Sequence, residues 1–228
     1  MQSIYVAGAG SGSGKSVVVL GFMELLSAIN RRVGFFRPII GGSVQDDNLT
    51  SVIRDRYGLP FPAEQLYGCT AQTARELLSA GRYDDLLKLI LHKYRLLQEK
   101  CGIVLCAGSD YAGLVPSLEF DFNADLANNF GCTIVAVVKG FGRTVDEAVH
   151  AVQMSHESML SRRGDLLATV VNGVHPDYAD VVRKRVRAVL PETETLYVLP
   201  ETEALGKPTI GEISQMLGAD CLCSEGGA

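Results

Sequence analysis

Apolar positions recur along this chain in two alternating rhythms. Short continuous runs, Ile4 to Ala7, Arg32 to Ile40, Gly102 to Ala107, Cys132 to Val138, Leu166 to Val171 and Thr195 to Leu199, have the length and β-branched content of strands buried on both faces. Between them, apolar residues return every three or four positions. These helical segments are Val17 to Ile29, Leu49 to Tyr57, Thr70 to Ser79, Tyr83 to Lys100, Ala124 to Phe130, one beginning near Thr144, and Tyr178 to Leu190. Such alternation predicts an α/β fold: a doubly wound, mostly parallel sheet of about seven strands with helices on both faces. Punctuation refines the boundaries. Pro38 has no ladder donor and is read as ending the second strand. Thr144-Val145-Asp146-Glu147 fits a capping box, and Asn172-Gly173 is a strong turn signal. The stretch from Gly58 to Gly81, with Pro60 and Pro62, reads as an elaboration on the core. No linker composition sets it apart, so residues 1–228 are expected to form a single domain.

Composition narrows the functional classes. A chain of 228 residues with 47% hydrophobic content can bury a sizeable core. A net charge of -5 argues against a nucleic-acid partner held by bulk positive charge, so any phosphate site must be local. No apolar run reaches the length of a membrane span, and the N-terminus enters a strand directly, so a cytoplasmic protein is expected. The six cysteines include no Cys-x-x-Cys pair, and Cys101, Cys106 and Cys132 sit in or beside apolar runs as reduced thiols would. His92, His150, His156 and His175 lack paired metal-ligand spacing.

The chemistry concentrates in Ala9-Gly10-Ser11-Gly12-Ser13-Gly14-Lys15-Ser16, between the first strand and the first helix. Consecutive backbone N–H groups can wrap phosphate oxygens only where no Cβ intrudes, and the following helix start adds partial positive charge. Gly10, Ser11, Gly12, Ser13 and Gly14 would form that cradle, Lys15 would reach the terminal phosphates, and the Ser16 hydroxyl would ligate Mg²⁺. The cofactor expected is ATP or another nucleotide with Mg²⁺. The motif usually opens with glycine; here Ala9 stands in that place, with Gly8 before it. Arg37 is placed to meet a ligand beyond the strand ends, or is a solvated arginine. In Gln45-Asp46-Asp47-Asn48, Asp46 or Asp47 either caps the next helix or holds Mg²⁺. Asn172 either reads an adenine edge through its amide or simply forms a turn. The third strand ends in Ala107 where this chemistry normally has a metal-positioning carboxylate, and the nearest one is Asp110.

Taken together the chain resembles the dethiobiotin-synthetase-like domain found at the N-terminus of long phosphate acetyltransferases. The residues that carry the resemblance are the Gly8 to Ser16 loop, Phe36-Arg37-Pro38-Ile39 and Gly108-Ser109-Asp110-Tyr111-Ala112-Gly113. Val171-Asn172-Gly173 and the segment from Leu199-Pro200-Glu201 through Pro208-Thr209-Ile210-Gly211-Glu212-Ile213 complete them. The resemblance implies that acetyl transfer between CoA and phosphate resides in a separate C-terminal domain, for which this chain is too short. It implies a regulatory and assembly module that binds a nucleotide or phosphorylated effector, forms a homo-oligomer and works with that acetyltransferase domain. The alternative is an ATP-dependent carboxylase or ligase of the dethiobiotin synthetase type, with Arg37 on a substrate carboxylate. There the family has lysine in place of Arg37 and glutamate in place of Ala107, and both departures weigh against ligase chemistry. A degenerate module without a ligand is the third reading.

Overall fold

The computed structural model describes residues 3–10, 12–29, 32–43, 47–109 and 116–202, with Ser214 and Gly218; for residues 116–120 it describes the backbone alone. Ser11, Gln45, Asp46, the Asp110 loop and the Pro208 to Ile213 segment lie outside the described residues. Seven strands form one sheet: β1 (Ile4–Ala9), β2 (Val33–Ile40), β3 (Tyr67–Thr70), β4 (Ile103–Ala107), β5 (Thr133–Lys139), β6 (Leu166–Val174) and β7 (Thr195–Pro200). Their order is β3-β2-β4-β1-β5-β6-β7, and every neighbouring pair is parallel. Parallel strands need crossovers, which the helices supply: α1 (Lys15–Ile29), α2 (Asn48–Tyr57), α3 (Ala71–Ser79), α4 (Tyr83–Gln98), α5 (Pro116–Phe130), α6 (Val145–Ser161) and α7 (Ala179–Arg187).

Both faces of the central strands are covered, because successive side chains in a strand point to opposite sides. On β4, Val104 and Cys106 enter one core with Tyr5 of β1 and with α4 and α5. Ile103, Leu105 and Ala107 enter the other with Val6, α1 and α2. The first core centres on aromatic rings, Tyr94 stacked on Phe130 at 4.0 Å and Phe36 edge-on to Tyr94 at 5.6 Å. A third cluster packs α6 and α7 on β6 and β7. Cys69, Cys106 and Cys132 are buried free thiols and Cys101 is partly buried; burial pushes the Cys69 thiol up to about 11.

Three local expectations are corrected. β2 does not stop at Pro38 but continues to Ile40. Its ladder with β4 ends at Phe36↔Cys106, and beyond it Arg37 and Ile39 pair outward with β3, so the donor missing from Pro38 costs no ladder bond. The stretch after Gly58 is not only an elaboration, since Tyr67–Thr70 adds the edge strand β3. Asn172-Gly173 does not end its strand: β6 runs to Val174 with an irregular register there, held by β5 on one side and β7 on the other.

Candidate functional site

α1 begins at Lys15, so the glycine-rich loop joins the carboxyl end of the central strand β1 to a helix start. Gly10, Gly12 and Gly14 hold φ of 90°, 71° and 74°, a region that L side chains rarely occupy, which is why glycine alternates through the loop. Gly8, just ahead of the motif, has a steric reason of its own. A Cβ there would stand 2.7 Å from the hydroxyl of Ser13, which folds back onto the strand end. Ser13 and Lys15 are buried, whereas Ser16 is exposed with its hydroxyl at the second position of α1.

Lys15 is 3% exposed, and its ammonium donates to the carbonyl of Gly108 just past the tip of β4. A buried ammonium is tolerated only where acceptors surround it, so the placement of Gly108 governs that of Lys15. Gly108 is set in turn by a buried polar network. The Tyr5 hydroxyl donates to Asn123 Oδ1 at 2.7 Å, the Ser109 amide donates to the same oxygen at 3.0 Å, and Asn123 Nδ2 returns a bond to the Ser109 carbonyl at 3.3 Å. Asn123 is not singled out by the sequence, where it is one of three asparagines in α5 and is set apart only by lying between Phe122 and Ala124.

On the other side of β1, strand order brings β5 and β6 to the loop. Asn172 Nδ2 donates to the Ser13 carbonyl at 3.0 Å. One N–H of the amide that could read an adenine edge is therefore engaged by the loop itself. Lys139, at the end of β5, places its ammonium 4.0 Å from where a Cβ on Gly12 would be and 5.8 Å from the centre of the Phe141 ring. It is a second cation beside the loop that sequence spacing did not single out.

Arg37 and Asp47 pair with each other. Arg37 Nη1 meets both Asp47 oxygens, at 2.7 and 2.9 Å, with side-chain exposures of 14% and 3%. Asp47 also caps α2 by accepting from the Thr50 amide at 3.4 Å. Capping, one of the two roles open for Asp47, is thus present. The carboxylate considered for Mg²⁺ is committed to a guanidinium and a helix start, and among the described residues no bond ties either partner to the loop. Ala107 is wholly buried on the α1 side of the sheet. Among the described residues no three histidines, cysteines or carboxylates gather as metal ligands, and no helix is long and apolar enough to cross a membrane.

The loop fits a polyphosphate: its glycines open a cradle, a helix starts beneath it and two lysines stand beside it. For a metal ion the loop offers the exposed Ser16 hydroxyl, while Asp47 is held by Arg37. A parallel sheet with this loop after its central strand defines a P-loop NTPase-type domain. The chain belongs to the AAA domain family, whose model matches residues 2–209. A phosphate acetyltransferase of Nitratidesulfovibrio vulgaris (strain Hildenborough) is 34% identical over 99% of this chain and 33% of its own length. One from Synechocystis sp. is 29% identical over 97% of this chain and 32% of its own. The chain thus spans about a third of the length of these relatives and matches their N-terminal domain. Among solved structures, the MinC:MinD cell division protein complex of Aquifex aeolicus aligns over 100% of both chains at 12% identity with a TM-score of 0.46.

Proposed function

We propose that this chain is a nucleotide-binding regulatory and assembly module of a phosphate acetyltransferase, working in the cytoplasm within a homo-oligomer. Its partner is the acetyltransferase domain of the same parent protein. The observation that carries this reading is the braced loop: three glycines at positive φ, Lys15 against Gly108, and Asn172 on Ser13. A phosphate site held in shape by three strands costs little reorganisation when ligand arrives. The nucleotide, ATP or a relative, would lie with its phosphates over Gly10 to Ser16. Any Mg²⁺ would rest on Ser16 and the phosphates themselves. Because Arg37 and Asp47 neutralise each other, neither is presented as a substrate or metal group, which weighs against the carboxylase or ligase alternative.

The reading predicts binding with little turnover. Phosphoryl transfer in this fold depends on a metal aligned on the β- and γ-oxygens, and Ala107 supplies no carboxylate for it. Calorimetry with ATP and Mg²⁺ on the wild type and Lys15→Ala should show affinity lost in the variant, with phosphate release near the buffer background. No acetyl transfer from acetyl-CoA to phosphate is expected from this chain alone. Hydrolysis at about 1 s⁻¹ or faster, an ordinary enzymatic rate, would favour an enzyme in its own right. Absence of nucleotide binding, unchanged by Lys15→Ala, would overturn the proposal.

A further inference from the structure

A cleft of about 600 Å³ opens between the glycine-rich loop and α6, sharing Gly10 with the phosphate cradle. Ala9 and Gly10 border it on one side and Gly142 and Arg143 at one end. Its long wall is α6 itself, through Glu147, His150, Ala151, Met154, Ser155 and Ser158. Those positions recur at spacings of three and four, so they share one continuous face of the helix. Beyond Glu147 and His150 the face turns apolar: Met154 is 54% exposed beside Ala151.

Polar atoms set around this apolar wall lack partners. Among the described residues Arg143 Nη1 and Ser155 Oγ are both buried without a hydrogen bond, and Ser155 as a whole is 6% exposed. A buried donor left unmatched is unfavourable, and most native structures avoid it. The carboxylate in the lining, Glu147, makes no hydrogen bond to Arg143, and Asp146 pairs with Arg185. Glu147 Oε2 is used by the capping box, accepting from the Thr144 amide at 2.8 Å and its hydroxyl at 2.9 Å, and it reaches Arg143 only through space. The cleft therefore combines an unmatched guanidinium N–H, an unmatched hydroxyl and an apolar wall.

We infer that this cleft is a second ligand site, for a small anion bearing an apolar body of a few carbons. Its carboxylate or phosphate group bonds Arg143 and its body lies along Ala151 and Met154. Bordered by Ala9 and Gly10, the site adjoins whatever the loop holds, so occupancy of one is felt by the other through the loop backbone. The inference rests on the cleft and not on the nucleotide reading.

The test is an amide-resolved NMR titration with pentanoate and butyl phosphate, which share a four-carbon body and differ in headgroup, and with inorganic phosphate as the probe without a body. Saturable shifts are expected at residues 150–155 with one of the two probes that carry this body, stronger than with inorganic phosphate. Arg143→Gln should weaken that binding about tenfold or more, as loss of a charge-assisted bond does. Ala151→Phe fills the cleft from its α6 wall and should abolish binding even if Arg143→Gln fails to fold. Lys15→Ala should leave the α6 shifts in place while removing nucleotide binding, so failure of one site is separable from failure of the other. Shifts confined to residues 12–16, unchanged affinity in both cleft variants, or no shift with either pentanoate or butyl phosphate would overturn the proposal.

Discussion

The side-chain amide of Asn172 donates to the Ser13 carbonyl at 3.0 Å, across 159 positions of sequence, and so ties the end of β6 to the glycine-rich loop. The neighbouring Gly14 has no room for a side chain: a Cβ there would lie 2.0 Å from Asn172 Nδ2, at a φ of 74°. Gly14→Ala should therefore displace the brace as well as strain the backbone, costing about 2–3 kcal/mol by urea unfolding and abolishing nucleotide binding in calorimetry. Gly10→Ala, also at positive φ but with nothing within 4 Å, should cost only about 1 kcal/mol. Equal losses from the two would show that strain alone, and not the Asn172 contact, fixes Gly14.

Asn123→Leu is expected to destabilise the domain by about 2–3 kcal/mol. It removes the acceptor at 2.7 Å from the Tyr5 hydroxyl and the side-chain partner of both backbone groups of Ser109 in a buried position. Because Ser109 adjoins the carbonyl that receives Lys15, nucleotide affinity should fall too, in protein still folded at room temperature. Tyr5→Phe removes one donor only and should cost about 1 kcal/mol. Wild-type affinity in folded Asn123→Leu would break the link drawn here between that network and Lys15.

Breaking the Arg37–Asp47 pair from either side leaves a charge in a largely buried position. Arg37→Ala and Asp47→Ala should each lower stability by about 3 kcal/mol, and Arg37→Met combined with Asp47→Leu by less than either alone. In the folded variants nucleotide affinity should hold within about threefold, less than one lost hydrogen bond would produce. If affinity collapses while the unfolding midpoint stays put, Arg37 contacts ligand directly.

The capping box of α6 makes a pH-dependent contribution. Hydrogen bonds from the Thr144 backbone amide, then from its hydroxyl, hold the Glu147 carboxyl below its ordinary value of 4.5. A depressed folded-state value means that the stabilisation is fully present above the unfolded value and is lost as pH falls through the folded one. The stability gap between the wild type and Glu147→Gln should stay constant from neutral pH down to about 5 and close below that. Chemical denaturation at successive pH values measures it; a gap that persists at pH 3 would assign the effect to side-chain shape and not to charge.

What the sequence determined by itself were the features whose cause is local. The Gly10 to Ser16 loop is legible because its backbone geometry admits few residue types, and the capping box from Thr144 because its bonds span three positions. The central strands are legible because burial on both faces leaves them unbroken apolar runs. Only the tertiary structure decided which distant segments meet. The four residues of β3 are too few to show a period and become a strand by pairing with β2. Pro38 and Gly173 read as stops, yet neighbouring strands carry the ladder past both. Asn172, Asn123 and Gly108 converge on the loop because the sheet order sets β6 and β4 to either side of β1 and β5, and that order is fixed by which apolar faces can be buried together, a property of no single stretch of chain.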